Sequence, residues 1–106
     1  MFGSFINNEW VEGDVNSAIE IVNPSTGILI AKVPPATKAI VNLAVDSAKI
    51  AFPLWAAKSP SARAAAMLDL ADIVLEHAEE LAKLESLNVG KPFAGALDEM
   101  MYTADC

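Results

Sequence analysis

Apolar residues come first in short runs and then at helical spacing, and the change falls near Pro35. Phe5-Ile6 and Trp10-Val11 flank Asn7-Asn8-Glu9. Asparagine tolerates positive φ, so this pattern predicts a tight β-hairpin. Glu12 to Ser17 is polar and reads as a loop, and Ile19 to Val22 is a β-branched run typical of a strand. Asn23-Pro24-Ser25-Thr26-Gly27 follows it. That segment has turn chemistry: Asn to initiate, Pro with φ preset, Gly to release the chain. Ile28 to Val33 predicts the returning strand, and Pro34-Pro35 stops it.

Helical spacing begins after the prolines. Val41, Ala44, Val45, Ala48, Phe52 and Trp55 recur three or four residues apart between Thr37 and Lys58. Thr37 is a candidate N-cap, and Pro53 should end or kink the helix. Ser59 then offers an N-cap with Pro60 at the first helical position. Met67, Leu70, Ala71, Val74, Ala78, Leu81 and Leu84 form an apolar stripe, predicting one long helix that ends near Asn88. Gly90 can adopt the left-handed conformation past its last turn, and Pro92 forbids continuation. A third helix should start at Phe93 with Ala94, Leu97, Met101 and Ala104 as its stripe, and no stop signal follows it. The pattern therefore predicts an α+β chain. Short antiparallel strands or hairpins occupy residues 1–35, and two long helices and a third occupy 36–106, in a single small domain.

Composition changes this picture in one respect. Hydrophobic residues make up 54% and charged residues 20% of the 106, against roughly 45–50% and about 25% in typical domains. A domain this small has much surface per volume, so apolar surface should stay exposed, and a partner surface is the natural reading. Net charge is −7, which argues against nucleic acid or an anionic membrane as partner. Unbroken apolar runs are only a few residues long, well short of the roughly 20 that span a bilayer. Met1-Phe2-Gly3-Ser4 lacks the basic-then-apolar order of a signal peptide. One cysteine cannot form an internal disulfide, and a cytoplasmic location fits.

Candidate chemistry is sparse. Cys106 is the one thiol and His77 the one imidazole, and nothing in the sequence pairs them. One His and one Cys do not make a zinc set. Asp69, Asp72 and Glu76 share a helical face that reads as solvated. Neither GxGxxG nor GxxxxGK[ST] occurs. No catalytic or cofactor-binding residue is assigned.

Several segments together resemble one family. FINNEWV (Phe5 to Val11), IVNPSTGILIAKVP (Ile21 to Pro35), AFPLWAAKSPSAR (Ala51 to Arg63) and LADIVLEHAEELAKLESLNVGKP (Leu70 to Pro92) resemble, in order and spacing, the N-terminal part of NAD(P)-dependent aldehyde dehydrogenases. The resemblance implies a hairpin-and-helix edge of a cofactor domain, in an enzyme that oxidises aldehydes to acids with NAD(P) as hydride acceptor. It implies a cysteine thiohemiacetal, an oxyanion-stabilising Asn and a Glu base, none of which maps onto these 106 residues. Cys106 resembles a helix residue upstream of the nucleophile. The wording around Asn88 is similar to the aminoaldehyde branch, which handles aminobutyraldehyde and betaine aldehyde. That likeness implies two sites. One is a monovalent-cation site using the Val22 carbonyl, with Asn88 where relatives carry an acid. The other is a substrate entrance involving Glu99, with Asp98 and Tyr102 beside it.

Two readings of function follow. In the first, the chain is an aldehyde dehydrogenase-like N-terminal fragment, inactive by itself and binding no cofactor alone. In the second, it is a small interaction module that self-associates or docks onto another dehydrogenase polypeptide. A new small enzyme built on His77 and neighbouring acids is a third, which the residues support least.

Overall fold

The computed structural model describes residues 3–106; Met1 and Phe2, where the reading of the N-terminus starts, lie outside them. Strand β1 (Ser4–Ile6) pairs antiparallel with β2 (Glu9–Val11), with Phe5 opposite Trp10. Asn7 and Asn8 form the two-residue turn at φ 49° and 67°. Both central φ values are positive, as a type I′ turn demands. The Phe5 and Trp10 rings meet edge to face at 5.2 Å. Glu12 to Ser17 is more ordered than its polarity suggests. Asp14 caps a short 3-10 turn at Val15–Ser17, accepting from Asn16 N and Ser17 Oγ, and Asp14 N donates to the Pro35 carbonyl.

Strands β3 (Ile19–Val22) and β4 (Leu29–Val33) form a second two-stranded sheet. Their connection is built as its residues predict. The Asn23 side chain accepts from Ser25 N, Asn23 N donates to the Ile28 carbonyl, and Gly27 sits at φ 70°. Lys32 and Glu20 form an ion pair across the strands at 2.8 Å.

Helix α1 (Lys38–Ala56) is capped by Thr37, whose hydroxyl accepts from Ile40 N. Pro53 does not end it at once. The helix runs on to Ala56, and Ala57 N still donates to the Pro53 carbonyl. Proline lacks a donor but not an acceptor, so the turn that follows it keeps its bonds. Among the described residues α1 is the one helix long and apolar enough, by length and composition, to match a bilayer, a test that core helices of soluble proteins also meet.

The run read as one long helix is two. Helix α2 (Pro60–Glu76) and α3 (Ala78–Val89) are divided at His77, where φ is −101° and ψ 11°. No glycine, proline or side-chain cap marks the break, and for that reason the apolar spacing runs through it unbroken. Gly90 ends α3 at φ 76°, and α4 (Phe93–Asp105) follows Pro92.

The chain divides into two compact units. One holds the residues through Ile21 with Ala31–Lys58, and in it α1 lies against β1. The other holds Val22–Ile30 with Ser59–Cys106, and in it α4 lies against α3 and α2. Among the described residues the buried set is Ile6, Ala78, Ala82 and Ala96, with no large side chain fully enclosed. An alanine methyl contributes about 0.8 kcal/mol on burial, against about 1.5–3 for a large aliphatic or aromatic side chain. The core is thin, and the apolar excess of the sequence lies outside.

Candidate functional site

The turn between α3 and α4 is the most elaborated polar region. Gly90 takes the left-handed conformation that lets the chain reverse after Val89, and Pro92 sets the start of α4. Ser86 Oγ donates to the Lys91 carbonyl at 2.7 Å. Lys91 Nζ then reaches both helices. It is 3.3 Å from Glu85 Oε1 on α3 and hydrogen-bonds Glu99 Oε2 on α4. Its side chain is 28% exposed. The Glu99 carboxylate holds the Lys91 ammonium above the usual lysine range; partial desolvation opposes this and Glu85 adds to it. The tip of the β3–β4 hairpin meets the same turn, for a Cβ at Gly90 would stand 2.9 Å from Pro24 Cγ.

The residues singled out for a substrate entrance divide here. Glu99 is turned to Lys91, so its charge is met within the chain. Asp98 and Tyr102 face away with Met101 and Asp105, lining an open hollow of about 410 Å³. Asp98 and Tyr102 are one helical turn apart, which puts carboxylate and phenol on one face of α4. Val22 ends β3 and Asn88 lies in the last turn of α3. Both offer neutral oxygens, without the carboxylate that would favour a cation most strongly.

His77 lies at the α2–α3 break, with Nδ1 3.5 Å from Glu80 Oε2. It borders a hollow with Glu76, Glu79 and Lys83, whereas Cys106 edges a different groove, between α2 and α4. Among the described residues no three His, Cys, Asp or Glu side chains are placed to hold a metal ion. The reading of the sequence gave Lys91, Glu85 and Ser86 no role. Their spacing was a usable signal, because a lysine beside a glycine turn can reach acids in both flanking helices.

The comparisons agree with this architecture. The model of the aldehyde dehydrogenase family matches residues 10–106. A betaine aldehyde dehydrogenase of Rhizobium etli is 48% identical over 88 residues, covering 83% of this chain and 18% of that protein. A peroxisomal aminoaldehyde dehydrogenase of Pisum sativum is 40% identical, covering 96% of this chain and 21% of that protein. Among solved structures, an aldehyde dehydrogenase of Brucella melitensis superposes with a TM-score of 0.91 at 29% identity, over 98% of this chain and 22% of that one. A betaine aldehyde dehydrogenase of Staphylococcus aureus in complex with NAD+ gives 0.85 at 30% identity, over 97% and 22%. The chain thus spans about a fifth of the length of these relatives.

Proposed function

Since this chain belongs to the aldehyde dehydrogenase family and corresponds to its N-terminal portion, we propose that its 106 residues act as a docking edge with no turnover of their own. In this reading they complete the cofactor domain of an enzyme that oxidises aldehydes with NAD(P), in the cytoplasm, together with the remaining part of such an enzyme. The observation that carries the reading is the apolar surface. The chain exposes 7948 Å², whereas a single compact body of 11.2 kDa exposes about 5,700 Å². Even two separate compact bodies of half that mass would together expose about 6,900 Å². The surplus over two separate compact bodies is roughly 1,000 Å², and a standard interface takes about 800 Å² from each partner.

A membrane is a poorer occupant for this surface. Asp46 and Lys49 sit in the middle of α1, and each such charge at a bilayer centre costs about 2.5–3.5 kcal/mol. Likeness to betaine aldehyde and aminoaldehyde dehydrogenases supports a cationic aldehyde as the substrate class of the completed enzyme, over the anionic semialdehydes of other relatives. At its rim Asp98 and Tyr102 would meet the cation, and the Val22 carbonyl and Asn88 would be the oxygens offered to a monovalent ion.

The test uses the purified 106-residue chain with NAD+ and betaine aldehyde, followed by NADH absorbance. No rate above the blank is expected. The same assay is repeated with the remaining residues of a relative produced as a separate polypeptide, where activity should appear. Turnover by the chain alone, or a mixture that neither associates nor turns over, would sink the reading.

A further inference from the structure

Helices α2 and α3 meet at a joint of one residue. His77 N still donates to the Ile73 carbonyl, and Leu81 N donates to the His77 carbonyl. His77 itself, at φ −101° and ψ 11°, lies roughly 40° and 50° from helical values, so a modest rotation separates the broken pair from one straight helix. Most local features favour the straight form. Val74 to Glu80 contains no glycine or proline, and no side chain caps the start of α3. A break also leaves backbone groups unpaired that a continuous helix would pair. Glu79 and Glu80 do favour a helix start, and Glu76 repels Glu80 four residues on, but all three are exposed and such surface effects are small.

The element placed to hold the break is α4. It lies against both α3 and α2, whereas those two do not pack on each other to a comparable extent. Its first end is fastened to α3. Ser86 Oγ holds the Lys91 carbonyl, Lys91 Nζ meets Glu85 and Glu99, and Ala82 and Ala96 are fully buried. Its far end lies along α2, where Ala71 and Val74 share a wall with Ala104 and all three are half-buried. Were α2 and α3 to straighten, α4 would travel with α3 and leave α2.

We propose that α4 is a strut that keeps the α2–α3 helix broken at His77, so that seating of α4 on α2 and breaking of the helix are one two-state event. Released from α2, residues 60–89 become a single helix. Every group involved belongs to one compact unit, and the device does not depend on what covers the apolar surface.

The test measures distances between spin labels on α2 and α3 by pulsed electron paramagnetic resonance, in the 106-residue chain with Cys106→Ala. One pair is placed by Ala65→Cys with Lys83→Cys, another by Ala66→Cys with Leu84→Cys; all four sites are exposed. Each pair spans five helical turns, about 27 Å along a straight helix, and the two pairs lie on different faces. The unaltered strut should give distances that differ from this value. Ala104→Glu sets a charge into the α2–α4 contact from outside the reporting segment, and both pairs should move to about 27 Å. Lys91→Met unties the other end of the strut at a partly exposed side chain, and should raise the straight fraction at least twofold. Far-UV circular dichroism checks that each variant folds, and Lys91→Met decides if Ala104→Glu does not. Distances of about 27 Å with the strut intact, or distances unchanged in every variant that folds, overturn the proposal, for the break would then be absent or set by the local sequence.

Discussion

Replacing Gly90 by alanine tests whether the α3–α4 turn and the β3–β4 hairpin tip are held as one packed piece. At φ 76° an L residue costs roughly 1–2 kcal/mol relative to glycine. The new Cβ would also stand 2.9 Å from Pro24 Cγ and 3.5 Å from Ser25 Oγ. A proline ring has only its pucker to give, so part of the overlap must be relieved by moving the tip, and overpacking of this kind costs about 1–3 kcal/mol. Gly27 is the matched control. It sits at φ 70°, and its Cβ would meet nothing within 4 Å. Gly27→Ala therefore carries the backbone cost alone, and the difference between the two variants isolates the Pro24 contact at about 1–3 kcal/mol. In urea unfolding followed by circular dichroism, with a slope of about 1–3 kcal/mol per molar, Gly90→Ala should lower the midpoint by roughly 1 M more than Gly27→Ala. Gly90→Asn should regain part of the backbone cost and none of the contact cost. Equal midpoints for the two alanine variants, or a milder effect at Gly90, would refute the reasoning.

Other outcomes follow from single contacts. Ser59→Ala removes the Oγ that accepts from Ala62 N at 3.2 Å and should cost about 1 kcal/mol, read as a lower urea midpoint with a lower helical signal. On the acid side, the Lys32 ammonium holds the Glu20 carboxylate below its ordinary range. That stabilisation is complete above the ordinary carboxylate value and fades as pH falls through the folded one, so Lys32→Met should flatten the loss of stability below about pH 4.5. On the alkaline side the sign reverses. Lys91 is raised, so its contribution is complete below the ordinary lysine value and lost as pH climbs past it, and Lys91→Met should flatten the stability curve above about pH 10.5.

Local chemistry made most elements legible. Asn7-Asn8 forms the hairpin turn, Thr37 and Ser59 accept the predicted N-cap bonds, and Gly90 takes the left-handed conformation. Each of these is decided within four or five residues, a range over which propensity and hydrogen bonding act without help from the fold. The division at His77 escaped notice because the apolar repeat that marks a helix is not interrupted there. The 3-10 turn at Val15–Ser17 escaped it too, although Asp14 three residues before Ser17 is a recognisable capping arrangement.

Packing was legible only in part, and the reason bears on function. The stripe Met67, Leu70, Ala71, Val74, Ala78, Leu81 and Leu84 reports that this side of α2 and α3 is meant to be enclosed. It does not report by what. Of the seven, Ala78 alone is buried, while Met67, Leu70, Leu81 and Leu84 stay exposed. Periodicity records the environment a helix is adapted to, whether the covering atoms come from the same chain or another. The same limit applies to Glu99. Its number along α4 suggested an entrance acid, but whether a carboxylate is free to meet a cation depends on which counter-charge the fold brings beside it, and the turn at Gly90 brings Lys91. Asp98 and Tyr102 share the open face of α4, and the field they set up lies beside the Lys91–Glu99 pair. Removing Lys91 would return Glu99 to that field, so the lysine both ties α3 to α4 and sets how much negative charge the edge presents.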